Sequence, residues 1–201
     1  MIIGFDFDNT LINYSNSFKH LARKKKIVPE ENNKSKISIR NYLRQKNIEQ
    51  EWTMLQGEVY GKNIMSAKMF DGVFEALSYI TKKNYEIKII SHKTQYPYIG
   101  EKIDLRLSAK NWMNKNLLHN QEIKILEKNI FFENTIEKKI KKILDEKCDI
   151  FVDDLPEILN LLPERIKKIL FSYSVNQNDY FKFTIMQSWN EFPNLINSQD
   201  E

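Results

Sequence analysis

The 201-residue sequence predicts a three-layer α/β fold, in which a mostly parallel five-stranded sheet carries helices on both faces and receives a helical insertion. Short apolar runs of strand length alternate with amphipathic helical segments, which is typical of parallel sheets. Two of those apolar runs end in paired carboxylates, in FDFD and FVDD. Ligands of open α/β sheets bind at the carboxyl ends of the strands, so both pairs are candidate site residues.

The first strand begins at the amino terminus and leads directly into two acids. Residues 2–7 are rich in Ile and Phe, and Asn9 and Thr10 are turn and cap formers that end the strand. Asp6 and Asp8 are two residues apart, so they point the same way and repel each other unless a cation or a shared proton intervenes. Mg²⁺ suits such oxygen ligands. The alternative is an acidic pair that only caps and turns the chain.

A helical insertion is predicted to follow this strand. The next convincing strand begins near residue 86, which leaves residues 12–70 too long for a simple crossover. We therefore expect a cap domain there, with residues 1–11 and 71–201 forming the core. The helices of this cap are predicted over residues 16–26, 37–45 and 48–60.

The second strand, in EIKIISHKT at residues 86–94, ends in polar side chains. It follows a helix predicted over residues 71–83. A hydroxyl at a strand end, here that of Ser91, can donate to a phosphate oxygen. The aromatic QYPYIG segment that comes next, with its proline and glycine, is predicted to be an ordered loop.

The remaining elements bring a lysine helix and a second acidic pair. The helix over residues 135–148 begins with Lys138 and Lys139, and the strand of DIFVDDLPEI ends in Asp153 and Asp154. The other predicted elements are a helix over residues 104–118, strands over residues 130–132 and 168–171, and a short docking helix containing Trp189, Phe192, Leu195 and Ile196.

FDFDNT, SHKT, the lysine helix and FVDDLPEI, in this order, closely resemble the motifs of the haloacid dehalogenase-like hydrolase superfamily over nearly the whole chain. The resemblance implies a Rossmann-like core, a helical cap and a phosphatase. It also implies that Asp6 is the nucleophile, which forms an aspartyl-phosphate. Asp8 would act as the general acid and base.

The same resemblance implies how the charges of the reaction are balanced. Mg²⁺ would be held by the Asp6 side chain, the Asp8 backbone carbonyl and Asp154, with Asp153 supporting it from beside the ion. Ser91 and a helix lysine would bind the phosphoryl oxygens. The helix register that we favour makes that lysine Lys139, and the alternative register makes it Lys138. Asp8 and Asp154 argue against the dehalogenase branch, which lacks the acid two residues after the nucleophile and needs no metal.

The expected substrate is a small phosphorylated metabolite. The alternatives are a nucleotidase and a binding or regulatory module that keeps the fold with little turnover. Three candidate substrate-binding residues have a structural alternative. Trp52 and Tyr60 could merely pack the cap, and His92 could make only a local hydrogen bond. The candidate substrate-binding residues are Asn9, Thr10, His92, Lys93, Trp52, Gln56 and Tyr60.

Composition limits the remaining possibilities. The net charge of +4 is modest, and the basic run at residues 23–26 is typical of a solvated helix end, so we expect no nucleic-acid partner. Cys148 is the single cysteine, which excludes an internal disulfide and fits a buried small hydrophobe. No apolar stretch reaches membrane-spanning length, and the amino terminus is predicted to be a core strand rather than a leader, so we expect a cytoplasmic protein without a membrane partner. The sequence leaves the oligomeric state open.

Overall fold

The computed structural model describes residues 1–172 and 182–197. The chain divides into two compact units. The first contains residues 1–12, 69–92 and those from 116 onward, and the second contains residues 13–68 and 93–115. Sequence reasoning kept all residues from 71 to the carboxyl terminus in one core, whereas the structure groups residues 93–115 with the helical insertion.

The first unit is built on a parallel sheet of six strands in the order β5-β4-β1-β6-β7-β8. β1, the amino-terminal strand, lies between β4 and β6, so it is buried on both edges. The strands of this sheet are β1 (Ile2–Phe5), β4 (Glu86–His92), β5 (Ile130–Glu133), β6 (Ile150–Asp153), β7 (Lys167–Phe171) and β8 (Thr184–Met186).

The prediction of five strands was one strand short. β8 is only three residues long and pairs in parallel with β7 at the edge of the sheet. Three residues are too few to establish the alternation of apolar and polar side chains that distinguishes a strand in sequence. The pairing with β7 decides the conformation of this segment instead.

Helices cover both faces of the sheet. α6 and α7 pack on the face that contains Ile90, Phe151 and Leu170. α8 packs on the opposite face, where Phe5 contacts Phe192, and α4 packs against α8. Within the described ranges, no helix has both the length and the hydropathy needed to cross a bilayer. The helices of this unit are α4 (Val73–Lys82), α6 (Ile136–Asp145), α7 (Pro156–Asn160) and α8 (Phe192–Asn197).

The second unit is helical. α1, α2 and α3 pack on one another, and α5 packs on α3. The three helices predicted for the insertion are present with nearly the predicted bounds. The predicted helix over residues 104–118 is an α-helix only in its first part, and a π-helical turn follows over residues 114–118. The helices are α1 (Ser15–Lys25), α2 (Lys36–Gln45), α3 (Glu49–Tyr60) and α5 (Leu105–Met113).

The first two of the four connections between the units each contain a strand of two residues. These are β2 (Ile12–Asn13), where the chain leaves the first unit, and β3 (Lys68–Met69), where it returns. The two strands pair with each other in a separate small sheet.

Candidate active site

The register of the sheet brings the predicted catalytic groups to one edge. Phe5, the last residue of β1, is aligned with Ile89 of β4 and with Val152 of β6. The backbone N–H of Asp6 donates to the Val152 carbonyl at 2.9 Å, which extends this pairing by one residue. Because parallel strands end at the same edge, Asp6, Ser91 and Asp153 become neighbours there.

A buried lysine joins two of the carboxylates. Lys139 Nζ lies 2.7 Å from Asp6 Oδ1 and 2.6 Å from Asp153 Oδ2, and it donates to both. The Ser91 hydroxyl also donates to Asp6 Oδ1, at 2.9 Å. Lys139 is 1% exposed, and Ser91 and Asp153 are fully buried. Asp6 therefore has a fixed orientation, because two donors meet on the same oxygen.

The choice between the two helix lysines depends on which face of α6 packs on the sheet. Thr135 caps the helix by accepting a hydrogen bond from the Lys138 backbone N–H at 3.3 Å. From this start Lys139 turns inward, with its ammonium 5.6 Å from the centre of the Phe151 ring, while Lys138 is exposed. Lys139 is the lysine that reaches the carboxylates.

Burial and mutual repulsion control the charges of this cluster. Burial and the charge of Asp8 raise the pKa of Asp6, against the lowering effect of Lys139. Burial and the nearby Asp6 raise the pKa of Asp153 to about 7, again against Lys139. Burial disfavours the charged form of Lys139, but the two carboxylates outweigh it and raise the pKa of Lys139 above its ordinary value. Lys139 therefore stays protonated beside these two carboxyl groups.

The same edge contains a group of oxygen ligands that fits a divalent cation. Asp6, Asp153 and Asp154 each offer a carboxylate oxygen within 4.8 Å of the others. Asp153 is further oriented by the Leu155 backbone N–H, which donates to its Oδ1 at 3.0 Å. Mg²⁺ prefers a few carboxylates completed by water and substrate oxygens, so this donor set is suitable for it.

The loop after β1 turns sharply back on itself. Asn9 adopts the left-handed conformation with φ 58°, which asparagine tolerates better than most residues. Asp8 and Asn9 are half-buried, whereas Thr10 is fully buried and its hydroxyl has no hydrogen-bond partner within the described part of the chain. Asn9 and Thr10 thus belong to the loop that carries Asp8, and their predicted roles in substrate binding stay predictions.

The other predicted substrate-binding residues are divided between the units. His92 is exposed at the end of β4, with its Nε2 3.0 Å from the Asn134 carbonyl. Lys93 is 4% exposed and belongs to the second unit, where its ammonium lies 5.1 Å from the Tyr60 ring centre. Trp52 is 3% exposed and stacks on Phe18, so it packs within that unit, and its predicted role in substrate binding stays a prediction.

Tyr60 and Gln56 are half-buried in the second unit. The Tyr60 ring makes edge contacts with Tyr14 and Phe18 at centroid distances of 4.8 and 5.7 Å. Packing and substrate binding are both compatible with these positions, so their predicted roles stay predictions.

Sequence reasoning missed one residue that contacts the loop after β1. The Trp189 indole N–H donates to the Thr10 carbonyl at 3.1 Å, inside the loop that carries Asp8. The sequence indicated only that Trp189 belongs to a docking helix. A single tryptophan gives no signal for a hydrogen bond to a residue 179 positions away.

A family model of haloacid dehalogenase-like hydrolases matches residues 2–105, slightly more than half of the chain. The chain belongs to this family. As a member of the haloacid dehalogenase-like hydrolases it is an enzyme, which confirms the resemblance seen in the sequence motifs. No curated protein sequence matches the chain.

Solved structures of several other proteins share the fold. A phosphoserine phosphohydrolase-like protein from Francisella tularensis is 17% identical, with a TM-score of 0.58 over 97% of this chain and 99% of its own. YfnB from Bacillus subtilis, described as a HAD-hydrolase bound to magnesium, is 12% identical, with a TM-score of 0.59 over 98% of both chains. A hydrolase of the superfamily from Ehrlichia chaffeensis is 15% identical, with a TM-score of 0.56 over 100% of this chain and 97% of its own. At these identities the likeness concerns the fold alone.

Proposed function

We propose that this hydrolase cleaves a small phosphate monoester in a Mg²⁺-dependent reaction, through an aspartyl-phosphate on Asp6. The observation that carries the proposal is the buried contact of one ammonium with two carboxylates, in which Lys139 reaches both Asp6 and Asp153. A fixed cation beside a carboxylate nucleophile suits a reaction that brings two anions together.

Asp6 supplies the nucleophile. Ser91 and Lys139 orient its carboxylate from one oxygen. A carboxylate oxygen of Asp6 forms a bond to phosphorus while the bond from phosphorus to the leaving oxygen breaks. Asp8, two residues further along the chain, gives its proton to that leaving oxygen. In the second half, water attacks phosphorus, Asp8 takes the water proton, and Asp6 is released with inorganic phosphate.

The surrounding charges stabilise the transferring group. Lys139 and the Ser91 hydroxyl both donate to the nucleophile, so they lie close enough to the transferring group to donate to phosphoryl oxygens in the transition state. Asp6, the Asp8 backbone carbonyl and Asp154 would hold Mg²⁺, with Asp153 beside it. Bound there, the ion would neutralise negative charge that otherwise repels a phosphate from a carboxylate.

The acid pairs favour a phosphatase over a dehalogenase. Displacement of a halide from carbon has no leaving oxygen to protonate, so it has no use for Asp8. The carboxylate cluster completed by Asp154 is equally unnecessary for it.

The substrate class is also part of the proposal. The modest net charge and the lack of a broad basic, aromatic surface in the sequence favour a small metabolite over nucleic acid. We assign the second unit the role of a cap that selects the leaving group, with Lys93, Gln56 and Tyr60 as candidate contacts. A nucleotide is the alternative small substrate, since aromatic side chains in that unit can stack on a base.

Phosphate release from a panel of phosphorylated metabolites, including sugar phosphates and nucleoside monophosphates, tests the proposal. The wild type is compared with and without Mg²⁺, and with Asp6→Asn. Asp145→Asn, at the exposed end of α6, is the matched control. We expect Mg²⁺-dependent hydrolysis of a few related compounds that Asp6→Asn abolishes and Asp145→Asn leaves unchanged. Activity that survives Asp6→Asn would exclude Asp6 as the nucleophile. If neither the wild type nor a variant releases phosphate from any compound of the panel, a binding module would be favoured.

A further inference from the structure

We propose that Trp189 is a positioning residue for the active site, which holds the loop carrying Asp8 through the backbone carbonyl of Thr10. The catalytic part of this inference rests on the proposed function. Its structural part concerns the loop alone and is tested separately below.

The hydrogen bond joins two parts of the first unit that are far apart in sequence. Trp189 Nε1 donates to the Thr10 carbonyl at 3.1 Å, and the indole is 1% exposed while Thr10 is fully buried. A buried carbonyl that loses its partner is costly, so the loop would move to regain one. Asp8 lies only two residues before Thr10, and any such movement would displace it.

The indole is held rigidly, which makes it a suitable anchor. Its ring lies 5.7 Å from that of Phe5, the residue that directly precedes Asp6. It also lies 5.6 Å from the rings of Phe171 and Phe192. The nucleophile strand and the acid-base loop are therefore fixed against the same side chain.

The backbone around Trp189 also lies close to Gly72, just after the chain has returned from the second unit. A Cβ built on Gly72, which adopts φ +86°, would lie 3.0 Å from Trp189 Cβ and 2.6 Å from Asn190 Oδ1. Only glycine permits this close approach. Within the first unit, the segment around Trp189 thus contacts both the end of residues 1–12, at Thr10, and the start of residues 69–92, at Gly72.

Hydrogen bonds within the loop supply reporters for its position. The backbone N–H groups of Leu11 and Ile12 donate to the Phe7 carbonyl at 3.1 and 3.2 Å, and the Asn9 N–H donates to the Ile12 carbonyl at 3.0 Å. If Trp189 holds the loop, loss of its N–H will weaken these bonds and speed the exchange of their protons.

Trp189→Phe tests the inference because it removes the donor and keeps an aromatic ring. Trp112→Phe is the matched control. Trp112 is also fully buried and donates its indole N–H to a carbonyl, that of Ala67, at 2.9 Å, but it lies in the second unit. Both changes should lower the melting temperature. Only Trp189→Phe should lower kcat, by about tenfold, because displacement of a catalytic group impairs the transition state. KM should stay unchanged.

Hydrogen exchange of residues 7–13 in the protein without substrate gives the second measurement. We expect faster exchange in Trp189→Phe and unchanged exchange in Trp112→Phe. Should Trp189→Phe not fold, benzothienylalanine at position 189 keeps both rings and lacks the N–H donor. Unchanged exchange of the loop, or equal kcat in the two variants, would overturn the inference. If the wild type hydrolyses nothing in the panel, the proposed function fails while the exchange experiment still decides whether Trp189 positions the loop.

Discussion

At the centre of the candidate active site, one ammonium group contacts two carboxyl groups, and all three groups are almost completely shielded from water. Lys139 is 1%, Asp153 0% and Asp6 5% exposed. Charges buried in this way are tolerated only when they are paired, and an unpaired one is strongly destabilising. Lys139 is therefore expected to contribute to the stability of the fold, besides its proposed role in binding a phosphoryl group.

Lys139→Met tests whether Lys139, rather than the adjacent Lys138, has this role. Methionine keeps an unbranched apolar chain and loses the charge. We expect a loss of roughly 3 kcal/mol in the free energy of unfolding of the metal-free protein, because two carboxylates lose their partner. Hydrolysis should fall by roughly a hundredfold or more. Urea denaturation and steady-state kinetics measure the two effects.

Lys138→Met is the control for that change, since Lys138 is exposed at the adjacent position of the same helix. It should retain the stability and the activity of the wild type. Equal losses in both variants would mean that the register of α6 is wrong.

At the scale of single elements, β1 is the strand on which the site depends. It lies between β4 and β6 and is followed directly by Asp6, and its residue Gly4 is placed where a side chain would meet neighbouring atoms. A Cβ on Gly4 would lie 2.6 Å from Phe151 Cδ2 and 2.8 Å from Cys148 Sγ. Gly4 therefore lets β1 lie beneath a side chain of its neighbour β6, and the two strands end in the two acidic pairs.

Gly4→Ala should be destabilising for this reason. Overpacking a filled core costs roughly 1–3 kcal/mol, and we expect a loss of that size in urea denaturation. Phe151→Leu removes the ring atoms that the new methyl group would meet. The double variant should therefore lose less than the sum of the two single losses, because the substituted residues are in contact. Additive losses would place the clash elsewhere.

At the scale of the whole molecule, a cation bound at the proposed metal site would link that site to the stability of the fold. The carboxylates of Asp6, Asp153 and Asp154 converge only in the folded chain, since they come from two strand ends that are far apart in sequence. A ligand that binds the folded state alone raises the free energy of unfolding by mass action.

Thermal unfolding with Mg²⁺ and with EDTA measures this link. At a hundredfold excess of Mg²⁺ over its Kd, the gain should be about 2.7 kcal/mol. Asp154→Asn should remove most of the gain while Asp145→Asn, an exposed change, should preserve it. If the melting temperature of the wild type is the same with Mg²⁺ and with EDTA, the proposed metal site is contradicted even if the enzyme is active.

Much of this protein follows from local sequence. The runs before Asp6 and Asp153 are apolar and short enough to be strands, so both acidic pairs could be assigned to strand ends before any pairing was known. Amphipathic periodicity located the helices of the insertion, because one face of each must be apolar to pack. The order of these segments was sufficient to identify the family.

The tertiary structure decided what depends on contacts between distant residues. Lys138 and Lys139 are alike in sequence, and only the packing of α6 on the sheet turns Lys139 inward. β8 is a strand because β7 pairs with it, and residues 93–115 join the second unit because α5 packs on α3. No sequence pattern near Trp189 or Thr10 predicts the hydrogen bond between them. Periodicity reports which face of an element is buried, whereas the partner of a buried polar group is determined only when the chain has folded.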